Sequence, residues 1–259
     1  MEWLGLHGAV VAITGGASGL GAVTAQPLRE QGAAVVVLDL VVPEGVDGFA
    51  CDVTSPASVD DAFSRIADRH GRLDVLANFA GVNRPALVVD FYGNDSQREA
   101  SPDQFALQVA VNQLGPLLCA QAAARLMIPQ NHGVIVNISS EAGIEGSVGQ
   151  SIYASTKGAL NAFTLSWAKE WGRFGIRVVG VAPAINEPTP MGNADHVAAL
   201  AYTRGVEPGS IEGDYTERIP LGRVGRHQEI ADVVTYLASE RAAYITGTTI
   251  AVTGGKSRG

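Results

Sequence analysis

The sequence predicts an α/β protein built on one doubly wound parallel sheet with helices on both faces. Short runs rich in β-branched residues alternate with longer helical stretches along the 259-residue chain. These runs are apolar on both faces, which is typical of strands buried between two helical layers. The first run leads directly into a glycine-rich loop. No linker, repeat or low-complexity tract interrupts this order, so residues 1–259 are expected to form a single domain.

Six strands are predicted, separated by helical sequence. In chain order they read AVVAIT, AAVVVLDL, LDVLAN, GVIVNIS, IRVVGVA and TTIAVTGG. Two longer irregular segments remain, residues 83–101 and residues 184–219. Long insertions inside a compact domain usually carry function, although they can also be plain surface. We expect residues 184–219 to form a lid over a substrate.

The composition limits the class of partner. The net charge is −8 and there is no basic run, which argues against binding nucleic acid or an anionic membrane. The N-terminal apolar run is too short to span a membrane and lacks a positively charged start, so a cytoplasmic location is expected. Cys51, Cys119 and five scattered histidines indicate neither a disulfide framework nor a metal site. We therefore expect a small-molecule substrate.

The loop TGGASGLG, residues 14–21, follows the first strand and opens a helix. Its glycines permit positive φ and close backbone approach, so the loop and the helix N-terminus can hold a pyrophosphate. The second strand ends at Asp39, 20 residues after Gly19, where a carboxylate can accept both ribose hydroxyls of an adenosine. That carboxylate repels a 2′-phosphate, and neither Ser18 nor Leu40 supplies a cation. The pattern predicts a Rossmann-type site that prefers NAD over NADP.

The stretch SIYASTKGAL, residues 151–160, sets Tyr153 and Lys157 four positions apart. On a helix these two side chains lie on the same face. A nearby ammonium favours the ionised phenol, so the pair can serve as an acid/base group and its tuner. Taken alone, the spacing more often marks two surface neighbours on a helix.

Further motifs in a fixed order decide between these interpretations. TGGASGLG, CDVT, ANFAG, VNQLG, NISSEAG and YASTK together resemble the short-chain dehydrogenase/reductase family over almost the whole chain. This resemblance implies that Asn112, Ser140, Tyr153 and Lys157 are the catalytic residues. Ser140 is preferred to Ser139 because the family's serine precedes its tyrosine by thirteen residues.

The resemblance also implies a role for each catalytic residue. Tyr153 takes the hydroxyl proton of an alcohol while a hydride leaves for the nicotinamide. Lys157 stabilises the phenolate and binds the nicotinamide ribose, and Ser140 binds the reacting oxygen. Asn112 holds a water that relays the proton. Simpler alternatives remain, because Ser140 can be an ordinary strand-end serine and Asn112 can satisfy a helix irregularity.

The predicted cofactor site joins the glycine loop to the positions that match the family. It comprises Gly15, Ser18, Gly19, Leu20, Gly21, Asp39, Asp52, Val53, Asn78, Ala80, Gly81, Tyr153, Lys157, Pro183, Ile185 and Thr189. The chain departs from the family in PAINEPTPM, where Ala184 replaces an expected glycine and Thr189 comes one residue late. If that turn needs positive φ, Ala184 costs about 1 kcal/mol or reshapes the turn.

The candidate pocket segments are polar, which suits a polyol or sugar better than a steroid or acyl chain. SEAGIEGSVGQSIYASTK, AINEPT, AYTRG, PLGRVGR and YITGTTIAVTGGKSRG resemble stretches of bacterial sorbitol-6-phosphate 2-dehydrogenases. That resemblance implies oxidation of sorbitol 6-phosphate to fructose 6-phosphate with NAD. Substrate contacts are predicted at Ser140, Glu141, Glu145, Glu187 and Arg204, with Arg204 as the leading phosphate ligand.

Two other functions stay open at this point. One is a related dehydrogenase for an unphosphorylated polyol, sugar or other secondary alcohol. The other is a non-catalytic dinucleotide sensor, which the intact Ser140, Tyr153 and Lys157 disfavour. The segments FALQVAVNQLGPLLCAQAAARLMI and GALNAFTLSWAKEW are apolar on more than one face, so self-association is expected unless loops cover them. The family resemblance implies a homotetramer.

Overall fold

The computed structural model describes residues 3–93, 98–210 and 217–256. Within them, one seven-stranded parallel sheet has the order β3-β2-β1-β4-β5-β6-β7. The strands are β1 (Val10–Thr14), β2 (Ala34–Asp39), β3 (Gly48–Ala50), β4 (Val75–Asn78), β5 (Gly133–Ile138), β6 (Ile176–Pro183) and β7 (Thr248–Val252). The strand order reverses between β1 and β4, and a crevice opens at such a point beyond the carboxyl ends of the strands. The predicted doubly wound parallel sheet is confirmed.

Eight α-helices surround this sheet in the described ranges. They are α1 (Gly19–Glu30), α2 (Pro56–His70), α3 (Pro102–Val109), α4 (Gly115–Gln130), α5 (Ala142–Glu145), α6 (Ser151–Trp171), α7 (Ala194–Arg204) and α8 (His227–Ala238). One apolar core lies between the sheet and α2, α4 and α6, and a second lies between the sheet and α1 and α8. Burial on both sides explains why the central strands are apolar on both faces.

The sequence did not reveal β3, which has only three residues at the edge of the sheet. It pairs with the end of β2, where Asp39 lies opposite Ala50. A Cβ at Gly48 would lie 2.2 Å from the carbonyl oxygen of Val37, so only glycine permits this approach. A run this short carries no periodicity from which a strand can be predicted.

A single turn of π-helix, Ala110–Leu114, joins α3 to α4 and contains Asn112. The extra residue in such a turn interrupts the regular helical ladder, and π turns are frequent at functional sites. Here the turn buries Asn112 completely. Among the described helices, none is both long and apolar enough to cross a membrane.

Candidate active site

A cavity of about 1390 Å³, here called the long cavity, follows the carboxyl ends of β1, β2, β4, β5 and β6. Residues from the start of α7 close one side of it. Its volume exceeds that of a typical pocket for one small molecule, so a dinucleotide and a small substrate can share it. The position matches the crevice expected where the strand order reverses.

The glycine loop forms one wall of the long cavity, and two of its glycines allow no side chain. Gly15 has φ +66°, and a Cβ there would lie 2.7 Å from the backbone nitrogen of Ala80. A Cβ at Gly21 would lie 2.3 Å from the carbonyl oxygen of Gly15. Helix α1 starts at Gly19, and the side chain of the preceding Ser18 does not cap its first amides. Those amides suit a pyrophosphate, so the residues present fit a dinucleotide.

Asp39 ends β2 at the same wall, and backbone amides hold its carboxylate in place. Its Oδ2 accepts a hydrogen bond of 3.0 Å from the Ala17 amide, and its Oδ1 accepts one of 2.8 Å from the Leu40 amide. Among the described lining residues the lysines and arginines are Lys157 and Arg84, which follow β5 and β4 rather than β2. The adenosine end therefore has a fixed carboxylate and no lining lysine or arginine.

Ser140, Tyr153 and Lys157 line the long cavity beyond the end of β5. Ser140 lies near the phenol of Tyr153, which is on the first turn of α6, and a hydrogen-bonding interaction with Ser140 lowers the pKa of that phenol. Lys157 follows one turn later, and its Nζ donates a hydrogen bond of 2.7 Å to the carbonyl of Ile138. That nitrogen lies 5.6 Å from the centre of the Tyr153 ring. The Oγ of Ser139 instead donates to the carbonyl oxygen of Lys157, at 3.0 Å.

Burial dominates the titration of the two ionisable groups at this point. It raises the pKa of Tyr153 to about 12, and the hydrogen bond with Ser140 opposes this rise. Burial also lowers the pKa of Lys157 to about 8. The sequence predicted a phenol whose pKa falls beside an ammonium, whereas in this structure loss of hydration is the larger effect. At neutral pH the pair is a protonated phenol beside a mostly protonated amine.

Asn112 supports the site from behind rather than lining the cavity. Its Oδ1 accepts a hydrogen bond of 2.8 Å from the Val82 amide, and its Nδ2 donates one of 2.8 Å to the Val82 carbonyl. The same Nδ2 donates to Thr156 Oγ1 at 3.1 Å, next to Lys157 on α6. The side chain of Asn112 thus ties the end of β4 to α6. Its role in proton relay remains a prediction.

Comparison with known proteins identifies the family. A family model described as enoyl-(acyl carrier protein) reductase, one of the short-chain dehydrogenase models, matches residues 15–257. The chain belongs to the short-chain dehydrogenase/reductase family.

Named relatives of this dehydrogenase act on different substrates. The sorbitol-6-phosphate 2-dehydrogenase of Klebsiella pneumoniae is 45% identical, over 99% of both chains. The 3-oxoacyl-(acyl-carrier-protein) reductase FabG of Thermotoga maritima is 35% identical, over 96% of this chain and 98% of that protein. The structure of Thermoplasma acidophilum aldohexose dehydrogenase superposes with a TM-score of 0.83 at 30% identity, covering 98% of this chain and 96% of that one. The protein is an oxidoreductase that uses a nicotinamide dinucleotide.

The structure of this dehydrogenase brings most of the predicted site residues into the long cavity. Those lining it are Gly15, Ser18, Gly19, Leu20, Gly21, Asp39, Asp52, Val53, Ala80, Gly81, Ser140, Tyr153, Lys157, Pro183, Ile185, Glu187 and Thr189. Glu187 also supports the fold, because its Oε2 accepts a hydrogen bond of 3.0 Å from the His227 amide at the start of α8.

Asn78, Asn112, Glu141, Glu145 and Arg204 are not among the residues that line the long cavity. The side chain of Asn78 is buried, and its Nδ2 donates to Asn137 Oδ1 at 3.0 Å. Glu141 and Glu145 both accept hydrogen bonds from Lys256 Nζ, at 2.7 and 3.3 Å. Arg204 is the last residue of α7 and is half-buried. The cofactor and substrate contacts of these residues remain predictions.

The turn after β6 does not have the positive φ under which Ala184 would be strained. Ala184 does not adopt a positive φ, so it needs no glycine. Its amide donates to the Val252 carbonyl at 3.2 Å, and Asn186 Nδ2 donates to the Ala184 carbonyl at 3.0 Å. Thr189 packs over the glycine loop, since a Cβ at Gly19 would lie 3.7 Å from Thr189 Cβ.

Arg84 and His196 are among the lining residues that reasoning from the sequence did not select as site residues. Arg84 belongs to the irregular segment 83–101 and was not predicted as a substrate contact. His196 lies on the first turn of α7, which begins after the N-cap Asn193. The sequence from Asn193 to His196 has the pattern of a helix N-terminus with its N-cap, so the helix could have been predicted. Nothing in the sequence indicated which face of that helix meets the cavity.

Proposed function

We propose that this protein oxidises the secondary alcohol of sorbitol 6-phosphate to give fructose 6-phosphate, with NAD as hydride acceptor. The observation that carries the proposal is the grouping of Ser140, Tyr153 and Lys157 in one cavity, between the glycine loop and a polar far end. That far end includes Arg84, Asn193 and His196. A polyol phosphate, dense in hydroxyls and charged, suits such a lining. The 45% identity to a sorbitol-6-phosphate 2-dehydrogenase over nearly full length supports the same substrate.

The choice of NAD rests on Asp39. Its carboxylate is oriented by the Ala17 and Leu40 amides and accepts the ribose hydroxyls of the adenosine. An additional 2′-phosphate meets this negative charge with no lining lysine or arginine at that end of the described cavity. Asp52 extends the same wall, where its Oδ1 accepts hydrogen bonds from the Thr54 amide and hydroxyl.

The reaction divides between the cofactor and three side chains. When bound, the nicotinamide ring accepts the hydride that leaves the carbinol carbon. The phenolate oxygen of Tyr153 takes the hydroxyl proton, and the electron pair of the O–H bond forms the C=O bond of the ketone. Ser140 donates a hydrogen bond to the reacting oxygen, and the Lys157 ammonium stabilises the phenolate. Oxidation therefore speeds up as pH rises, because the phenolate is the base.

Residues 184–210 and 217–219 form the described part of the proposed lid. Pro188, Thr189, Met191 and the first two turns of α7 line the long cavity, which supports closure over a substrate. Residues 211–216 of the predicted lid lie outside the described residues. Lids of this kind exclude water and complete a site after substrate binds.

An unphosphorylated aldose or polyol is the second candidate substrate. The similarity to the Thermoplasma acidophilum aldohexose dehydrogenase favours it, because a sugar fits the same polar lining. A non-catalytic dinucleotide sensor is disfavoured, since it has no need of Ser140 beside Tyr153 and Lys157.

We also propose a cytoplasmic homotetramer. Phe105 and Leu107 on α3, Leu114 on the π turn and Leu165 on α6 are 38–52% exposed. Helices α3 and α6 are neighbours, so these side chains provide apolar surface that a second copy can cover. Light scattering at micromolar concentration is expected to give four times the mass of the chain. A monomer in that measurement would contradict the assembly.

A substrate screen tests the proposed function. NAD and NADP are each offered with sorbitol 6-phosphate, sorbitol, glucose and glucose 6-phosphate, and the reduced cofactor is followed by absorbance. We expect the highest kcat/KM for NAD with sorbitol 6-phosphate. A preference for free sugar selects the second candidate, and no turnover with any pair would contradict the enzyme.

A further inference from the structure

Arg84 is the exposed cation at the substrate end of the long cavity. Lys157 is the other lysine or arginine among the described lining residues, but it is 5% exposed and its Nζ is bonded to the Ile138 carbonyl. The guanidinium of Arg84 makes one hydrogen bond in the described structure, from Nη1 to its neighbour's carbonyl at Asn83, 3.2 Å away. Its remaining N–H groups are available to a ligand in the cavity.

The backbone that carries Arg84 is held in place by a buried amide. Gln108 on α3, which is 0% exposed, accepts a hydrogen bond of 3.2 Å from the Arg84 amide. Its Nε2 donates one of 3.4 Å back to the Arg84 carbonyl. Asn112 holds Val82 in the same two-way manner one helical turn later. Because both ends of the segment 82–84 are fixed, Arg84 presents its guanidinium from a rigid base, which lowers the entropy lost on binding.

Arg84 also lies at a suitable distance from the acid/base group. A Cβ at Gly81 would lie 3.6 Å from Lys157 Nζ, so the segment after β4 borders the catalytic lysine. Arg84 is three residues further along, within about 10 Å of Gly81 at full extension. In sorbitol 6-phosphate the carbon that becomes the ketone lies next to the chain end opposite the phosphate. A phosphate group bound at Arg84 leaves the rest of that chain pointing back towards Tyr153.

A second observation places positive charge on the other side of this region. His196 on α7 lines the long cavity, and its Nδ1 is buried with no hydrogen-bond partner in the described structure. Burial lowers the pKa of His196, a hydrogen bond with the Asn83 backbone opposes this, and the positive charges of Arg84 and Arg204 lower the pKa further. Both guanidiniums therefore act on the same imidazole, one from the segment after β4 and one from the end of α7. Such a cluster favours an anionic ligand.

We propose that Arg84 binds the phosphate of the substrate through two parallel N–H groups of its guanidinium. Arg204 contributes positive charge from behind α7 instead of contacting the phosphate. This proposal rests on the proposed function, and it replaces Arg204 by Arg84 as the main phosphate ligand. A planar guanidinium matches a phosphate in this two-point geometry better than an ammonium does.

The test compares phosphorylated and free substrate in four enzymes: wild type, Arg84→Ala, Arg84→Lys and the control Arg29→Ala. Arg29 is an exposed arginine at the end of α1, so its loss removes the same charge away from the cavity. The quantity measured is the ratio of kcat/KM for sorbitol 6-phosphate to that for sorbitol. We expect Arg84→Ala to lower this ratio about 10- to 150-fold, the range for a charge-assisted hydrogen bond. The ratio for Arg84→Lys should lie between those of the wild type and Arg84→Ala, and Arg29→Ala should keep the wild-type ratio.

Inorganic phosphate supplies a second readout. We expect inorganic phosphate to inhibit sorbitol oxidation competitively. Its affinity should fall by a similar factor in Arg84→Ala, because the proposed site binds the phosphate group itself. An unchanged ratio in Arg84→Ala, or an equal loss with both substrates, would overturn the assignment. If wild-type enzyme turns over sorbitol but not sorbitol 6-phosphate, the proposed function fails, and the phosphate site fails with it.

Discussion

The hydroxyl of Tyr202 lies 2.9 and 2.8 Å from the two carboxylate oxygens of Asp90, across 112 positions of sequence. Tyr202 belongs to α7, and Asp90 belongs to the irregular segment that follows β4. The ring of Tyr92 packs edge-on against Tyr202 at 5.4 Å between ring centres. These contacts fix the helix of the proposed lid against the segment that carries Arg84.

Removing that hydroxyl should loosen the lid. Tyr202→Phe keeps the ring contact but leaves the carboxylate of Asp90 without this donor, which costs about 1–3 kcal/mol for a partly buried group. We expect KM for substrate to rise several-fold while kcat changes less, because chemistry at Tyr153 is untouched. Tyr244→Phe is the matched control, since Tyr244 is fully exposed. Identical kinetics in the two variants would show that the contact does not hold the lid.

The close backbone contacts of the glycine loop predict how a substitution there changes cofactor affinity. In Gly21→Ala the new Cβ meets the Gly15 carbonyl at 2.3 Å, so the loop must move. Such overpacking typically costs about 1–3 kcal/mol, and we expect a loss of NAD affinity of about tenfold or more. Gly172→Ala is the control, because nothing lies within 4 Å of a Cβ there. Fluorescence titration with NAD and NADH measures both variants, and equal affinities would contradict this prediction.

Cofactor choice should follow Asp39. Replacing it in Asp39→Ala removes the acceptor of the ribose hydroxyls and the charge that opposes a 2′-phosphate. We expect kcat/KM with NAD to fall at least tenfold and kcat/KM with NADP to rise. The double change Asp39→Ala with Leu40→Arg should raise kcat/KM with NADP further, because a guanidinium then faces the 2′-phosphate. Retained preference for NAD in both variants would place the selectivity elsewhere.

The buried amine of Lys157 predicts a pH-dependent stability. Its pKa in the folded protein is lowered to about 8 from the usual 10.5, because burial disfavours the charged form. Folding is therefore penalised in full below about pH 8, and the penalty shrinks as pH rises towards 10.5. This amounts to about 3 kcal/mol at most.

The variant Lys157→Met lacks this penalty but also loses the hydrogen bond to Ile138. We expect its melting temperature relative to wild type to be highest at pH 7 and to decline as pH approaches 10.5. Thermal unfolding across this range measures the difference. A difference that does not vary with pH would mean that Lys157 is not buried as a charged group.

The central fold could be predicted from the sequence because its strands are long and apolar and its glycine loop is distinctive. The edge strand β3 could not, since three residues carry no period. The family pattern has a glycine where this chain has Ala184, and the sequence could not show whether the turn needs a positive φ; in the structure it does not. A family motif fixes residue types, whereas the local φ depends on the contacts of the whole loop.

The candidate site likewise contains residues that could be predicted from the sequence and contacts that could not. Gly15, Asp39, Ser140 and Tyr153 were predicted and lie together, because each follows directly from a strand or helix that the sequence defines. The ion pairs from Lys256 to Glu141 and Glu145 were not foreseeable, since they join positions more than 100 residues apart. From the sequence, the carboxylate of Glu141 could be interpreted as a substrate contact just as well as an ion-pair partner. Only the packing of the C-terminal segment reveals the amine that it faces.

The most direct test of the account is the turnover of Tyr153→Phe on the best substrate of the screen, measured together with its affinity for NAD. The variant keeps the ring but loses the oxygen that exchanges the proton with substrate. We expect kcat to fall by about 10²- to 10⁴-fold, while NAD affinity stays within about twofold of wild type. Near-normal turnover with intact NAD binding would contradict the assignment of Tyr153 as the acid/base group.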